Sequence, residues 1–220
     1  DADGCRHLVE LLPRIEAPDK KIVSLTGNFA PDGSAAFYSV IFTMADVVNA
    51  RHYPLPLPVV AASPAERDLL HRQIVVRSAL ALAAQADVTF VGIGDLGPKA
   101  PLYEDGFISR EELAALQKAG AVGEVVGWAF DRQGSLIEGL TNDRVASAPI
   151  PSRETSLVVA AAMGERKLPA IRAAARARRS RSSVSLRSRR ARRRRSSPLP
   201  APSAGDRCSS AGTPVPPSRI

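Results

Sequence analysis

The stretch "GERKLPAI", residues 164–171, puts a lysine where chemistry is possible. Lys167 follows the apolar run "SLVVAAAM" and opens a helical pattern. A lysine beside the free N–H groups of a helix start suits a phosphate. The plainer alternative is a solvated surface lysine. Two more glycine loops stand in comparable places: Gly27–Ser34 after "KIVSLT", and Gly92–Gly97 after "DVTFV". Glu124, ahead of "VVGWAFD", is either an acceptor for sugar hydroxyls or an exposed strand residue. Gly92, Gly94 and Gly97 fit GxGxxG only loosely, and no acid follows at the usual distance after a second strand. A tight strand-to-loop turn therefore outranks a dinucleotide site. No GK[ST] occurs, so there is no Walker loop. His7, His52 and His71 lie outside the glycine loops, at spacings that fit no metal set. Cys5 has no basic neighbour to activate it. No catalytic residue, metal or cofactor is assigned.

The elements that position these loops follow from periodicity and caps. "CRHLVELLPRIE" reads as a short helix broken near Pro13, and Ile22–Thr26 as a strand. Phe37, Val40, Ile41, Met44, Val47 and Val48 recur on one face of a helix, with Ser34 as its N-cap. A short strand is expected near His52–Leu55. Ser63, Pro64 and Glu66 supply a cap, a first-turn proline and a capping-box acid, and the helical pattern continues through "VVRSALALAAQA". Val88–Val91 reads as a buried strand. Ser109 with Glu112 forms a second capping box, and that helix stops at Gly120. "GEVVGWAFDRQGSLIE" reads as a hairpin turning at Asp131–Gly134. "SLVVAAAMG" is the last strand, with a helix from near Arg166. Strands written as continuous apolar runs, alternating with helices, predict an α/β fold: a mostly parallel sheet with helices on both faces. In such sheets ligands sit beyond the carboxyl ends of the strands, where the three glycine loops fall.

Charge divides the chain in two. Residues 1–175 carry a net −4 and residues 176–220 a net +12, which together make the overall +8. The mildly acidic body has no electrostatic claim on nucleic acid. All the aromatic residues lie in the body; the tail is mostly Arg, Ser, Pro and Ala. Such a tail cannot bury enough apolar surface to offset its ordering entropy, about 1–2 kcal/mol per residue, and is expected to be disordered. Two cysteines, near opposite ends, argue against a disulfide framework and suit a reducing cytoplasm. No apolar run reaches the roughly 20 residues of a membrane span, and no signal-peptide pattern is present. The chain starts at Asp1 rather than Met, so a preceding piece is expected.

"IVSLTGNFAPDGS", "YPLPLPVVA", "ADVTFVGIGDL", "APLYEDGFIS", "LAALQKAGAVGEVVGWAFDRQG" and "GERKLPAI" stand in one order along residues 21–172. Singly they are weak; as an ordered set they resemble the sugar-binding domain of SorC-type bacterial transcription regulators. That resemblance implies a Rossmann-like fold similar to ribose-5-phosphate isomerase, glucosamine-6-phosphate deaminase and the CoA transferases. It implies a phosphorylated sugar effector bound without turnover, a homo-oligomer (dimer or tetramer), and DNA contact only through an N-terminal helix-turn-helix absent from this chain. It places effector contacts at Gly27, Asn28, Ser34, Asp95, Glu124 and Lys167. The enzymatic alternative, a sugar-phosphate isomerase or deaminase on the same fold, needs a general base at the substrate carbon, and no His or acid cluster in the glycine loops supplies an obvious one.

The chain departs from the family pattern twice. Met163–Gly164 replaces a pair of glycines in the late loop, and a side chain there is expected either to crowd a phosphate or to shift the loop. After "AIRAA" the family continues with a further strand and helix, whereas this chain turns to Arg, Ser, Pro and Ala near Ala174. Those residues dominate when a GC-rich gene is read in the wrong frame, so a frameshifted end is favoured over an evolved nucleic-acid arm. The expected organisation is a linker helix at 1–20, an effector domain at 21–175 that lacks its last strand–helix unit, and the tail at 176–220.

Overall fold

A computed structural model describes residues 7–27, 29–35, 40–152 and 154–177. Asn28, Phe37 and nearly all of the Arg-rich tail lie outside the described residues, and with them the expectations made for those positions. Among the described residues, 7–10 are helical, and there follow in α/β order β1 (Lys21–Val23), α1 (Val40–Val47), β2 (Arg51–Tyr53), α2 (Pro64–Arg72), α3 (Ile74–Ala84), β3 (Val88–Gly92), β4 (Gly94–Asp95), α4 (Pro101–Glu104), α5 (Arg110–Lys118), β5 (Ala121–Val125), β6 (Trp128–Asp131), β7 (Leu157–Ala161) and α6 (Leu168–Ala177). Two 3-10 turns, Asn142–Arg144 and Glu165–Lys167, complete the set.

The parallel reading holds for two ladders. β1 pairs with β2 (Lys21↔Arg51 to Val23↔Tyr53), and β3 pairs with β7 (Val88↔Leu157 to Gly92↔Ala161). Between β3 and β7 in sequence lies an antiparallel sheet of order β4-β5-β6. One expectation is corrected. β3 is not buried along its length: Val88 and Phe90 are each 45% exposed while Thr89 and Val91 are buried. Side chains alternate across a strand, so one face of this ladder is covered and the other, with Leu157 on β7, is open.

Local chemistry explains the helix boundaries. Ser63 accepts the Glu66 N–H at 3.1 Å, and Pro64 opens α2. Gln73, extended at ψ 137°, ends α2 and separates it from α3, where a continuous helix was expected. At α5, Ser109 accepts the Glu112 N–H while Glu112 accepts the Ser109 N–H. Whether Ser34 caps a helix falls on residues 36–39, which lie outside the described residues. The Ser34 hydroxyl donates to Asp32 Oδ1 at 2.6 Å within an exposed loop, and the described part of α1 begins at Val40.

The expected hairpin has two turns. The second lies at Asp131–Ser135, as read from the sequence, with the Asp131 N–H donating to Ser135 O. The first is the two-residue turn Val126–Gly127, with φ of 47° and 91°. A β-branched residue is strained in that region, and such a turn normally takes Asn or Gly. Beyond the second turn, Asn142 is buried and locks β6: it accepts the Ala129 N–H and donates to Ala129 O and Ile137 O.

Three apolar clusters carry the fold. Leu55, Leu57, Val76, Ala79 and Ala146 join the β1–β2 side to α3. Leu96, Leu102, Ile108, Leu113 and Leu116 gather α4 and α5. Val91, Ile93, Val125, Phe130 and Val158 meet the alanine face of α6, Ala170, Ala173 and Ala174. That helix approaches closely because Gly123 has no side chain: a Cβ there would lie 2.4 Å from Ala170 Cβ.

Candidate functional site

β4 is two residues long and sits between the last two clusters. Its antiparallel pairing sets Gly94 opposite Glu124 and Asp95 opposite Gly123. Opposed residues share a face, so Glu124 lies on the face of Gly94 and Asp95 on that of Gly123, against which α6 packs. The turn carrying Lys167 leads into α6 and also packs against β4.

Asp95 is 6% exposed. Its Oδ2 accepts the Gly97 N–H at 3.3 Å, and its Oδ1 is buried with no hydrogen-bond donor. A buried carboxylate oxygen in that state costs free energy until a donor arrives. Trp128 Nε1 and Thr141 Oγ1 are likewise unsatisfied, but neither belongs to a charged group. Lys167 is 8% exposed, which removes the solvated-surface alternative. Burial pulls its ammonium below the usual lysine range. Met163, four residues earlier in the chain, is exposed.

Glu124 is 2% exposed, so it is not the surface strand residue that its position also allowed. Its Oε2 accepts the Gly127 N–H at 2.8 Å, and the Gly94 N–H also donates to its carboxylate. A Cβ on Gly94 would lie 2.0 Å from Glu124 Oε1, so only glycine fits beside it. Burial pushes the Glu124 carboxyl up to about 7; the two N–H donors oppose the rise and the Asp95 charge adds to it. Glu124 thus staples the strained Val126–Gly127 turn to β4.

Gly27 ends the segment after β1, packed against the backbone of Leu57: a Cβ would lie 1.7 Å from Leu57 O. The nearby hydroxyls of Ser147 and Thr26 are hydrogen-bonded at 2.8 Å. Of the expected contacts, the structure therefore brings Asp95 and the Lys167 turn together and sets Glu124 on the other face of β4–β5. It buries Gly27 against Leu57 and leaves Ser34 on the surface.

Sequence reading missed Arg144. It ion-pairs with Glu112, donates to Ala61 O at 2.8 Å, and walls a cavity of about 600 Å³ with Phe29, Pro56, Pro58 and Phe107. None of Asp95, Glu124 and Lys167 lines that cavity. Its one guanidinium is already neutralised by Glu112, so the buried groups around β4 are the stronger candidate site. His71, expected on a surface helix, is half-buried, with Nε2 2.8 Å from Ala146 O.

Parallel ladders running into glycine loops, with buried charged groups beyond them, place the chain in the α/β class of ligand-binding domains. It belongs to the sugar-binding domain family, whose pattern matches residues 4–184. The erythritol catabolism regulatory protein EryD of Brucella abortus is 30% identical over 76% of this chain and 53% of its own length. The chain spans about half the length of the curated relatives it matches. Two solved structures share the fold. The full-length sorbitol operon regulator SorC from Klebsiella pneumoniae aligns with a TM-score of 0.66 and 22% identity, over 83% of this chain and 61% of that one. A transcriptional regulator from Streptococcus pneumoniae TIGR4 gives 0.68 and 20%, over 83% and 69%.

Proposed function

We propose that this chain is the effector-binding part of a sugar-responsive transcriptional regulator, and that it binds a phosphorylated sugar or polyol without turning it over. The observation that carries the reading is the buried, undonated Oδ1 of Asp95 on β4, against which the turn bearing buried Lys167 packs. Lys167 takes the phosphate, and Asp95 accepts a hydroxyl. Glu124 shapes the hairpin beside them, and Gly27 lets the loop after β1 approach. Asn28 and Ser34, assigned to the effector by the family resemblance alone, remain candidate contacts for the same calorimetric test. DNA is contacted through a segment outside this chain, and the assembly is a homo-oligomer in the cytoplasm. Among the described residues no helix is long and apolar enough to cross a membrane.

The test is calorimetry and thermal shift with phosphorylated aldoses, ketoses and polyols of three to six carbons. Four-carbon polyol phosphates come first, because a 30% identical relative is named for erythritol catabolism. Stabilisation by at least one member, with the ligand recovered unchanged, is the expected result. Turnover of the ligand would move the protein to the isomerase or deaminase class. A folded sample indifferent to every member would refute effector binding.

A further inference from the structure

We infer that the site selects a ligand by the oxidation state of its non-phosphorylated end: Asp95 admits a hydroxyl-bearing end and rejects the corresponding carboxylate. The inference rests on the effector reading above and deepens it by naming the ligand class.

The argument starts from what Asp95 lacks. Its carboxylate is more than nine-tenths buried, and Oδ1 accepts no hydrogen bond. An ionised carboxylate is acceptor-only, so the missing partner must be a donor. A hydroxyl meets that need. A ligand carboxylate cannot, and it adds a second negative charge in a place with little water to screen it. Lys167, on the turn packed against β4, is needed for the phosphate, so it does not neutralise a second ligand anion as well.

The asymmetry between the two ligands is therefore large. A site built around a buried hydrogen-bonding group rejects an analogue that leaves that group unpaired by factors of about 10⁴ or more in well-formed pockets. A smaller factor is expected here, because only one carboxylate oxygen is left to satisfy. The discrimination expected is at least a hundredfold. The preferred ligands are thus alditol and aldose phosphates, and the phosphorylated sugar acids made by oxidising them are excluded. A regulator built this way responds to the reduced carbon source and ignores its first oxidation product.

The experiment uses the full chain and matched pairs of phosphate esters: erythritol 4-phosphate against 4-phosphoerythronate, and ribitol 5-phosphate with ribose 5-phosphate against 5-phosphoribonate. Affinities are measured by calorimetry for the wild type and for Asp95→Asn, whose melting temperature is checked first. In the wild type the alcohol or aldose member binds at least a hundredfold tighter than its acid. In Asp95→Asn the amide can donate as well as accept, so the alcohol weakens about tenfold, the acid gains, and the ratio falls below tenfold. A general loss of packing would weaken both members alike and leave the ratio in place. Equal binding of alcohol and acid to the wild type overturns the inference and leaves effector binding standing. So does an unchanged ratio in Asp95→Asn or, should that variant not fold, in Asp95→Ser. If no ester of either kind binds the folded wild type, the effector reading falls and this inference with it.

Discussion

Glu124→Gln should change how the stability of this domain depends on pH. Glu124 is fully enclosed, and burial holds its carboxyl near 7 against an ordinary 4.5. Below pH 4.5 the folded and unfolded chains both keep this proton, and Glu124 makes no difference. Between 4.5 and about 7 the unfolded chain has released it and the folded chain has not. Stability therefore falls as pH rises through that window, and levels off above it. Each unit of the gap is worth about 1.4 kcal/mol, so Glu124 removes about 3 kcal/mol between pH 4.5 and pH 8. That is a large share of the roughly 5–15 kcal/mol typical of a folded domain. Glutamine cannot ionise, so this contribution disappears from the variant. Glutamine also offers one acceptor where the Gly94 and Gly127 N–H groups need two, which costs about 1–2 kcal/mol at every pH. The offset and the slope are separable. Urea unfolding of both proteins at intervals from pH 4.5 to 8, at fixed ionic strength, should show the wild-type advantage over the variant falling by about 3 kcal/mol toward high pH, so that the two curves cross. Parallel curves would show that the Glu124 carboxyl ionises as freely in the fold as out of it, and the account of its burial would be wrong.

Lys167→Ala should weaken effector affinity tenfold or more in calorimetry, since a charge-assisted contact is worth about 1.5–3 kcal/mol; unchanged affinity would leave the buried ammonium without a role in binding. Asn142→Ala strips the buried Ala129 N–H and Ile137 O of their partners, and urea unfolding should show a loss of about 2–4 kcal/mol. A loss below 1 kcal/mol would mean that water replaces the amide.

What could be read from the sequence was what local chemistry dictates. Ser63 with Glu66 and Ser109 with Glu112 fixed two helix starts, because a cap needs only residues three apart. Lys167 at the start of a helix was legible for the same reason. The Val126–Gly127 turn was not, since nothing in "EVVGW" marks a valine for positive φ; the Glu124 carboxylate stapling Gly127 imposes it through tertiary contact. Nor was the burial of Glu124 legible, because a lone glutamate in a strand is usually solvated. It is buried because Gly94 and Gly123 let a strand and a helix close on either side of β5. Phe90 failed in the opposite sense: an apolar run looked enclosed on both faces, and only one face is covered. Arg144 gave no sign in "TNDR", since its partner Glu112 is brought to it by the fold.

The β3–β7 ladder has a consequence in time. Val88 must find Leu157 across about seventy residues, whereas β5 and β6 are joined by two. Loop closure makes the first pairing slow and the second fast. During refolding the hairpin with Glu124 therefore forms early, while Val88, Phe90 and Leu157 wait with bare strand edges. Such a row invites pairing with another chain before its own partner arrives. Refolding yield should fall as protein concentration rises, and the loss should track the closure of this ladder, not the hairpin that carries the site.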